Sequence, residues 1–229
     1  MTVRMAWTMT FVVVAATMAA CDGSRSPTRP TPPPLPTTPT PVVLPVAMPA
    51  VLSASQDPIA AVSAVQFDAS SSTSSASGGI TSYLWNFGDG LLSSGAQVQH
   101  VFMTSGTKTV TLTVTDANGT SVPAATSVTI KDLTGTWQAQ FNVQTRTYTL
   151  VQSGSVITGI YTNTLLLRQE WPVNGSLDMS RRFTITATYP GETTVVLSNA
   201  VVDASVSSFT GMTFGGSADG QMLIYRRVQ

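Results

Sequence analysis

The stretch Tyr83-Leu84-Trp85-Asn86-Phe87-Gly88-Asp89-Gly90 decides how this part of the chain folds. Its three aromatic residues alternate with Leu84 and Asn86, which is the two-residue period of a strand with one face on a core. Asp89-Gly90 then supplies a turn. The pattern predicts a half-buried strand in which Trp85 is a core residue rather than a platform for stacking a sugar.

Similar patterns flank this strand. Val65 and Phe67 alternate ahead of a loop of small residues at 72–79, and apolar residues alternate with threonine over 109–115. A turn at 116–119 follows, with a glycine suited to a left-handed conformation. Turn signals at such intervals, without a helical apolar stripe, predict an antiparallel β-sandwich.

Four segments of this region together resemble the PKD (polycystic kidney disease) domain family: FDASSS at 67–72, SYLWNFGDG at 82–90, VQHVF at 98–102 and VTLTVTDANG at 110–119. The resemblance implies an immunoglobulin-like β-sandwich over residues 51–131 of an extracellular protein. It also implies contacts with proteins or carbohydrates, or a spacer role beside enzymes. Within this pattern His100 is expected to make a structural hydrogen bond rather than to act in catalysis.

The region 133–229 reads as consecutive hairpins. Strand patterns begin with Trp137, Ala139 and Phe141, continue over 165–171 and alternate cleanly over 182–189. A turn is expected at 190–191, and a later strand is expected over 206–214. About eight strands in series predict an up-and-down meander that can close into a small barrel and remove its edges. The fold class is therefore all-β, an immunoglobulin-like antiparallel sandwich followed by a small β-meander or barrel.

Gly135-Thr136-Trp137 and an arginine near the end, Arg226 or Arg227, resemble the glycine-x-tryptophan and closing arginine of lipocalin-type barrels. This resemblance implies that the arginine packs over Trp137. Strands of seven or eight residues leave little interior once side chains fill it, so a packed core is favoured over a ligand cavity. A carrier for a small apolar ligand is the alternative.

The first twenty residues have the layout of an export signal, with Arg4 ahead of an apolar run at 7–20 that is too short to span a bilayer. Met18-Ala19-Ala20-Cys21 resembles a bacterial lipobox, which implies cleavage after Ala20 and lipidation of Cys21. A free thiol is the alternative. The expected location is the bacterial cell envelope, on the periplasmic or the cell-surface face, with a lipid anchor in a membrane.

Residues 21–50 are expected to be a linker, because ten of the fourteen prolines fall between Pro27 and Pro49. Proline fixes φ and removes backbone donors, which favours extended polyproline II. The alternatives are a ligand for proline-recognition modules and a glycosylated stalk.

Composition restricts the chemistry. Eleven basic and eleven acidic residues balance, so no basic surface for nucleic acid is expected. With one histidine and one cysteine, the usual nucleophile and base pairs are nearly unavailable. Glu170 and Glu192 are the only glutamates available for a glycosidase pair, and neither has a cleft-forming context. We therefore expect no enzymatic activity and no cofactor.

Four aspartates, Asp57, Asp68, Asp89 and Asp116, are the candidates for a calcium site. Their spacing does not match a calcium loop, and Asp68 and Asp89 are better explained as turn formers. No metal site is therefore predicted. The expected function is a non-enzymatic, lipid-anchored envelope protein that contacts surface proteins or polysaccharide, with a passive spacer as an alternative. The sequence names no ligand-binding residue.

Overall fold

The computed structural model describes residues 41–51, 57–164, 169–189, 192–214 and 220–228. The first eight strands are β1 (Ala50–Val51), β2 (Ala64–Asp68), β3 (Ile80–Asn86), β4 (Leu92–Ser94), β5 (Gln97–Val101), β6 (Gly106–Asp116), β7 (Gly119–Thr120) and β8 (Ala124–Ile130). One sheet has the order β1-β2-β5, and the other has the order β4-β3-β6-β7 with β8 paired to β6. All of these pairings are antiparallel, which is the predicted sandwich.

Aromatic residues from both sheets fill the sandwich core. Phe67 lies at 5.6 Å from Trp85 and at 5.5 Å from Phe87 between ring centroids, and Phe102 meets Phe87 edge to face. Phe67 and Trp85 are completely buried. The alternation that opened the sequence analysis therefore places Trp85 in the core, as predicted.

The end of the predicted linker contacts the sandwich. Val46 exchanges backbone hydrogen bonds with Thr73, and Ala47 is buried in the sandwich core. Farther back, the Asn118 side chain donates to the Val43 carbonyl oxygen. Ala47, which lies between Pro45 and Pro49, is buried in this core, so the folded unit begins before residue 51. Most of the linker, up to residue 40, lies outside the described residues.

The remaining strands are β9 (Gly135–Phe141), β10 (Gln144–Ser153), β11 (Val156–Asn163), β12 (Glu170–Leu177), β13 (Arg182–Tyr189), β14 (Glu192–Val202), β15 (Ser208–Thr213) and β16 (Met222–Val228). Each pairs antiparallel with the next along the chain, and β16 pairs with β9 to close an eight-stranded barrel. The predicted meander therefore closes, and closure removes the free sheet edges.

Buried and exposed side chains alternate along the barrel strands, and the buried ones form the barrel core. In β13, Phe183, Ile185 and Ala187 are buried while Arg182 and Thr184 are exposed. The interior contains a chain of aromatic contacts with centroid distances of 4.9 to 5.5 Å, through the residues Trp137, Tyr148, Tyr161, Trp171, Phe183, Phe209 and Tyr225. These side chains pack against one another within the described interior of the barrel.

Two strand positions differ from the prediction. The strand expected over 165–171 is observed at Glu170–Leu177, and residues 165–168 lie outside the described residues. The strand expected from Val206 begins at Ser208, because Val206 has a left-handed backbone with φ of 54° and belongs to a loop. The predicted turn at 190–191 lies outside the described residues.

The segment 57–63, which precedes β2, packs against both the sandwich and the barrel. Ile59, which is fully buried, and Val62 pack into the barrel core, whereas Ala60 belongs to the sandwich core. Ile59 also forms a parallel bridge with Lys131, just after the last sandwich strand. The barrel core is therefore completed by side chains that precede the sandwich strands β2 to β8 in the chain.

Candidate functional site

The aromatic motif is built for structure. The Trp85 indole Nε1 donates to the Gly95 carbonyl oxygen at 2.9 Å. The backbone φ of Gly88 is 76°, and a Cβ there would lie 2.7 Å from the Thr109 carbonyl oxygen. Only glycine fits such a close approach in that conformation. The buried Trp85 side chain therefore links β3 to Gly95, and Gly88 allows the chain to approach the β6 backbone at Thr109.

His100 makes the structural hydrogen bond expected of it. Its Nε2 lies 2.6 Å from Asp89 Oδ2, and its ring stacks on Phe87 with the centroids 3.9 Å apart. Burial alone would raise the pKa of the Asp89 carboxyl, but hydrogen bonds from His100 and the Leu91 amide outweigh it and lower that pKa. The pair ties the turn after β3 to strand β5.

The four candidate aspartates do not converge on a cation site. Asp68 accepts from the Ser70 amide at 2.7 Å, and Asp89 accepts from the Leu91 amide at 3.2 Å, so both shape turns. Asp116 accepts from Ser74 at 2.6 Å, and Asp57 pairs with Lys131 at 2.8 Å. Among the described residues, no three histidine, cysteine, aspartate or glutamate side chains lie close enough to hold a metal ion.

The glutamate pair is only partly described. Glu170 is exposed at the beginning of β12, while the Glu192 side chain lies outside the described side chains.

The barrel closure brings Arg227 over Trp137. The guanidinium carbon lies 4.6 Å from the indole centroid, and Nη2 donates to the Asp132 carbonyl oxygen at 2.5 Å. The sequence left the choice between Arg226 and Arg227 open. The register decides it, because Arg227 is directly opposite Trp137 in the β16–β9 pairing.

A buried arginine inside the barrel was missed from the sequence. Arg146 is fully buried, and its Nη1 donates to the Phe214 carbonyl oxygen at 3.4 Å. Burial raises the pKa of Tyr148 well above its usual value, and the neighbouring Tyr225 and Tyr161 raise this pKa further. Arg146 shares strand parity with Tyr148 and Leu150, so the alternation itself carried the signal.

Polar contacts lock the junction between sandwich and barrel. Arg181 is buried. Its Nη1 donates to the Asp57 carbonyl oxygen at 2.7 Å, and its Nη2 donates to the Asp203 carbonyl oxygen. The Lys131 ammonium donates to the Ser205 carbonyl oxygen at 3.0 Å. The Gln152 side-chain amide nitrogen Nε2 donates to the Ala60 carbonyl oxygen at 3.0 Å. Sequence reasoning missed this set, because its partners lie far apart in the chain.

The anchoring prediction concerns residues outside the described part of the chain, since Cys21 lies in 1–40. Within the described residues, none of the secondary structure is a helix with the length and apolar character needed to cross a bilayer.

Comparison with known proteins places the first module. Residues 46–131 match the family model described as PKD domain. Collagenase ColA of Bacillus cereus is 38% identical over 94 residues, which are 41% of this chain and 10% of the collagenase. The match thus spans about a tenth of that relative's length.

A solved structure of carbohydrate-binding modules from the beta-sandwich super family superposes with 19% identity and a TM-score of 0.38, covering 65% of this chain and 59% of that chain. A superposition this loose does not establish a common function. The family match, the strand pattern of the motif and the two antiparallel sheets agree on the same conclusion for one part of the chain. Residues 46–131 match the PKD domain family in sequence and have the two-sheet fold that the resemblance implies.

Proposed function

We propose that the chain is a non-enzymatic binding protein of the bacterial cell envelope, anchored by a lipid at Cys21, whose β modules contact proteins or polysaccharides. The observation that carries the proposal is the PKD match at 46–131, together with the matched segment of a relative named as a collagenase. The name of that relative supports contact with a protein ligand here.

Three features of the described residues support a binding role over catalysis. His100 is held by Asp89 and by aromatic rings, the aspartates each have separate structural partners, and no metal-binding group of three is formed in the described ranges. Catalysis needs a nucleophile, base or metal placed around a shared reacting position. The described barrel interior is occupied by aromatic side chains, so no observation favours the carrier alternative.

Binding is tested with the full chain in a non-glycosidic detergent. We expect capture of a protein from envelope extracts, or retention on a polysaccharide array, by wild-type protein. Bovine serum albumin carried through both assays is the control for non-specific retention. Repeated absence of any retained protein or polysaccharide would contradict the proposal and leave the passive spacer.

The anchor has its own test. Cys21→Ser removes the thiol that a diacylglycerol would modify, so we expect palmitate labelling of the chain to be abolished and membrane association to be lost. Ser24→Ala, three residues downstream, serves as the matched control and should label as wild type does. Undiminished labelling of Cys21→Ser would refute the anchor.

A further inference from the structure

An open groove lies where the sandwich meets the barrel. Its volume is about 500 Å³, which falls within the range of small-ligand clefts. We call it the junction groove, and its lining residues are Ser105, Gly106, Ile130, Lys131, Asp132, Ser205, Val206, Ser207 and Arg227. The turn before β6 and the end of β8 form one wall, and the β14–β15 loop and β16 form the other.

The groove presents hydrogen-bond donors and acceptors side by side. Arg227 and Lys131 are donors, and the Asp132 carboxylate is an acceptor that already holds the Ser105 hydroxyl at 2.7 Å. The hydroxyl oxygens of Ser105, Ser205 and Ser207 are further acceptors, because the Ser105 hydroxyl donates to Asp132 and the other two lie within donating distance of Asp203. A ligand whose own groups also do both fits such a lining better than a ligand with acceptors only.

Charge in the groove is offset. The Lys131 ammonium lies 2.8 Å from Asp57 Oδ2, and Arg227 lies beside Asp132, to whose carbonyl oxygen it donates. Each cation therefore has an acidic residue next to it. A polyanion would meet these carboxylates as well as the cations, so the balance favours an uncharged ligand.

The β14–β15 loop is held in place before any ligand arrives. The Asp203 carboxylate accepts from the Ser207 amide at 2.8 Å and the Ser208 amide at 3.1 Å, and from the Ser205 hydroxyl at 2.9 Å. Burial would raise the Asp203 pKa, but these hydrogen bonds lower it to about 2. The Ser205 and Ser207 hydroxyls lie 2.7 Å apart.

Val206 shows that the loop conformation is enforced. It is a β-branched residue with φ of 54°, a region that such residues avoid, and its side chain is buried in the barrel core. Backbone strain of this kind persists when the surroundings impose it, and it recurs at ligand sites. A fixed loop reduces the entropy that binding would otherwise cost.

We propose that the junction groove binds a short run of an uncharged polysaccharide. Sugar hydroxyls can accept from the Lys131 and Arg227 side chains and can donate to the Asp132 carboxylate and to the serine oxygens of the lining. The inference rests on the proposed binding function and specifies its ligand class and its site.

The test uses affinity electrophoresis of the full chain in a non-glycosidic detergent, with laminarin, dextran, mannan and galactan as probes. Ser105→Trp and Ser205→Trp narrow the groove from opposite walls. We expect each to weaken binding of the polysaccharide that wild type retains by at least about tenfold, because each bulky ring occupies ligand space. Ser94→Trp, on the edge strand β4 outside the groove, should bind as wild type does, and thermal unfolding checks that all three variants fold.

Salt and competing ligands separate the outcomes. Affinity unchanged between low and high salt supports an uncharged ligand, since screening weakens charged contacts; a tenfold loss in high salt would overturn that class. Polysaccharide binding that both groove variants retain would overturn the site and leave the proposed function standing. Retention of protein ligands alone, with none of the four polysaccharides bound, would overturn the sugar assignment while supporting the broader binding role.

Discussion

Replacing Ile59 with alanine is expected to destabilise the folded chain by about 3 kcal/mol, within the range for truncating a buried aliphatic side chain. Ile59 is completely buried and belongs to the barrel core, although it precedes the long sandwich strands in the chain. Its amide donates to the Ser63 hydroxyl at 3.0 Å, which fixes the turn that presents it. Losing the side chain leaves a cavity that the surrounding strands fill only partly.

Urea unfolding gives the free energy, and amide hydrogen exchange shows where the loss falls. We expect faster exchange in β9 and β10 of the barrel as well as in the segment 57–63. Val122→Ala is the control, because Val122 is 79% exposed and such surface changes usually stay within about 0.5 kcal/mol. A loss below about 1 kcal/mol, or barrel exchange equal to wild type, would show that the barrel core is complete without Ile59.

Gly159→Ala is expected to cost about 3 kcal/mol, at the upper end for inserting one group into a filled space. A Cβ on Gly159 would lie 2.0 Å from the Thr149 carbonyl oxygen and 3.1 Å from Leu150 Cα. Both are backbone atoms of β10, which pairs with β11 in this register. No flexible side chain can move aside, so the two strands must separate.

The matched control is Gly78→Ala, since nothing lies within 4 Å of a Cβ there and its backbone is not left-handed. It should change the unfolding free energy by no more than about 0.5 kcal/mol, or stabilise slightly by restricting the unfolded chain. Thermal and urea unfolding of both variants provide the comparison. Equal stability of the two variants would mean that β10 and β11 do not approach as closely as the structure places them.

Much of the fold was predictable because it is written in local alternation. Trp85, Phe87 and Val110 were placed on a core face by the period of two, and each is buried. The eight-stranded meander followed from turn residues at regular intervals, and its closure from the tendency of sheets to remove free edges. Asp68 and Asp89 were placed in turns for the same local reason.

The missed positions share another property, which is that their partners are distant in sequence. Arg181 contacts the Asp57 carbonyl oxygen across 124 positions, and Gln152 contacts that of Ala60 across 92. Val206 reads as the beginning of a strand, yet packing against the barrel core holds it in a left-handed conformation. Periodicity describes which face of an element is apolar and says nothing of which other element covers it.

The sequence by itself determined the all-β class, the PKD motif, the meander and the identity of the residues that face a core. Those features depend on side-chain alternation and turn chemistry, which act between near neighbours. Only the tertiary structure decided that Ile59 completes the barrel, that Arg227 rather than Arg226 covers Trp137, and that a polar groove forms at the junction. Each of these depends on the register and packing of segments brought together by folding, and their free energy comes from contacts that no local pattern specifies.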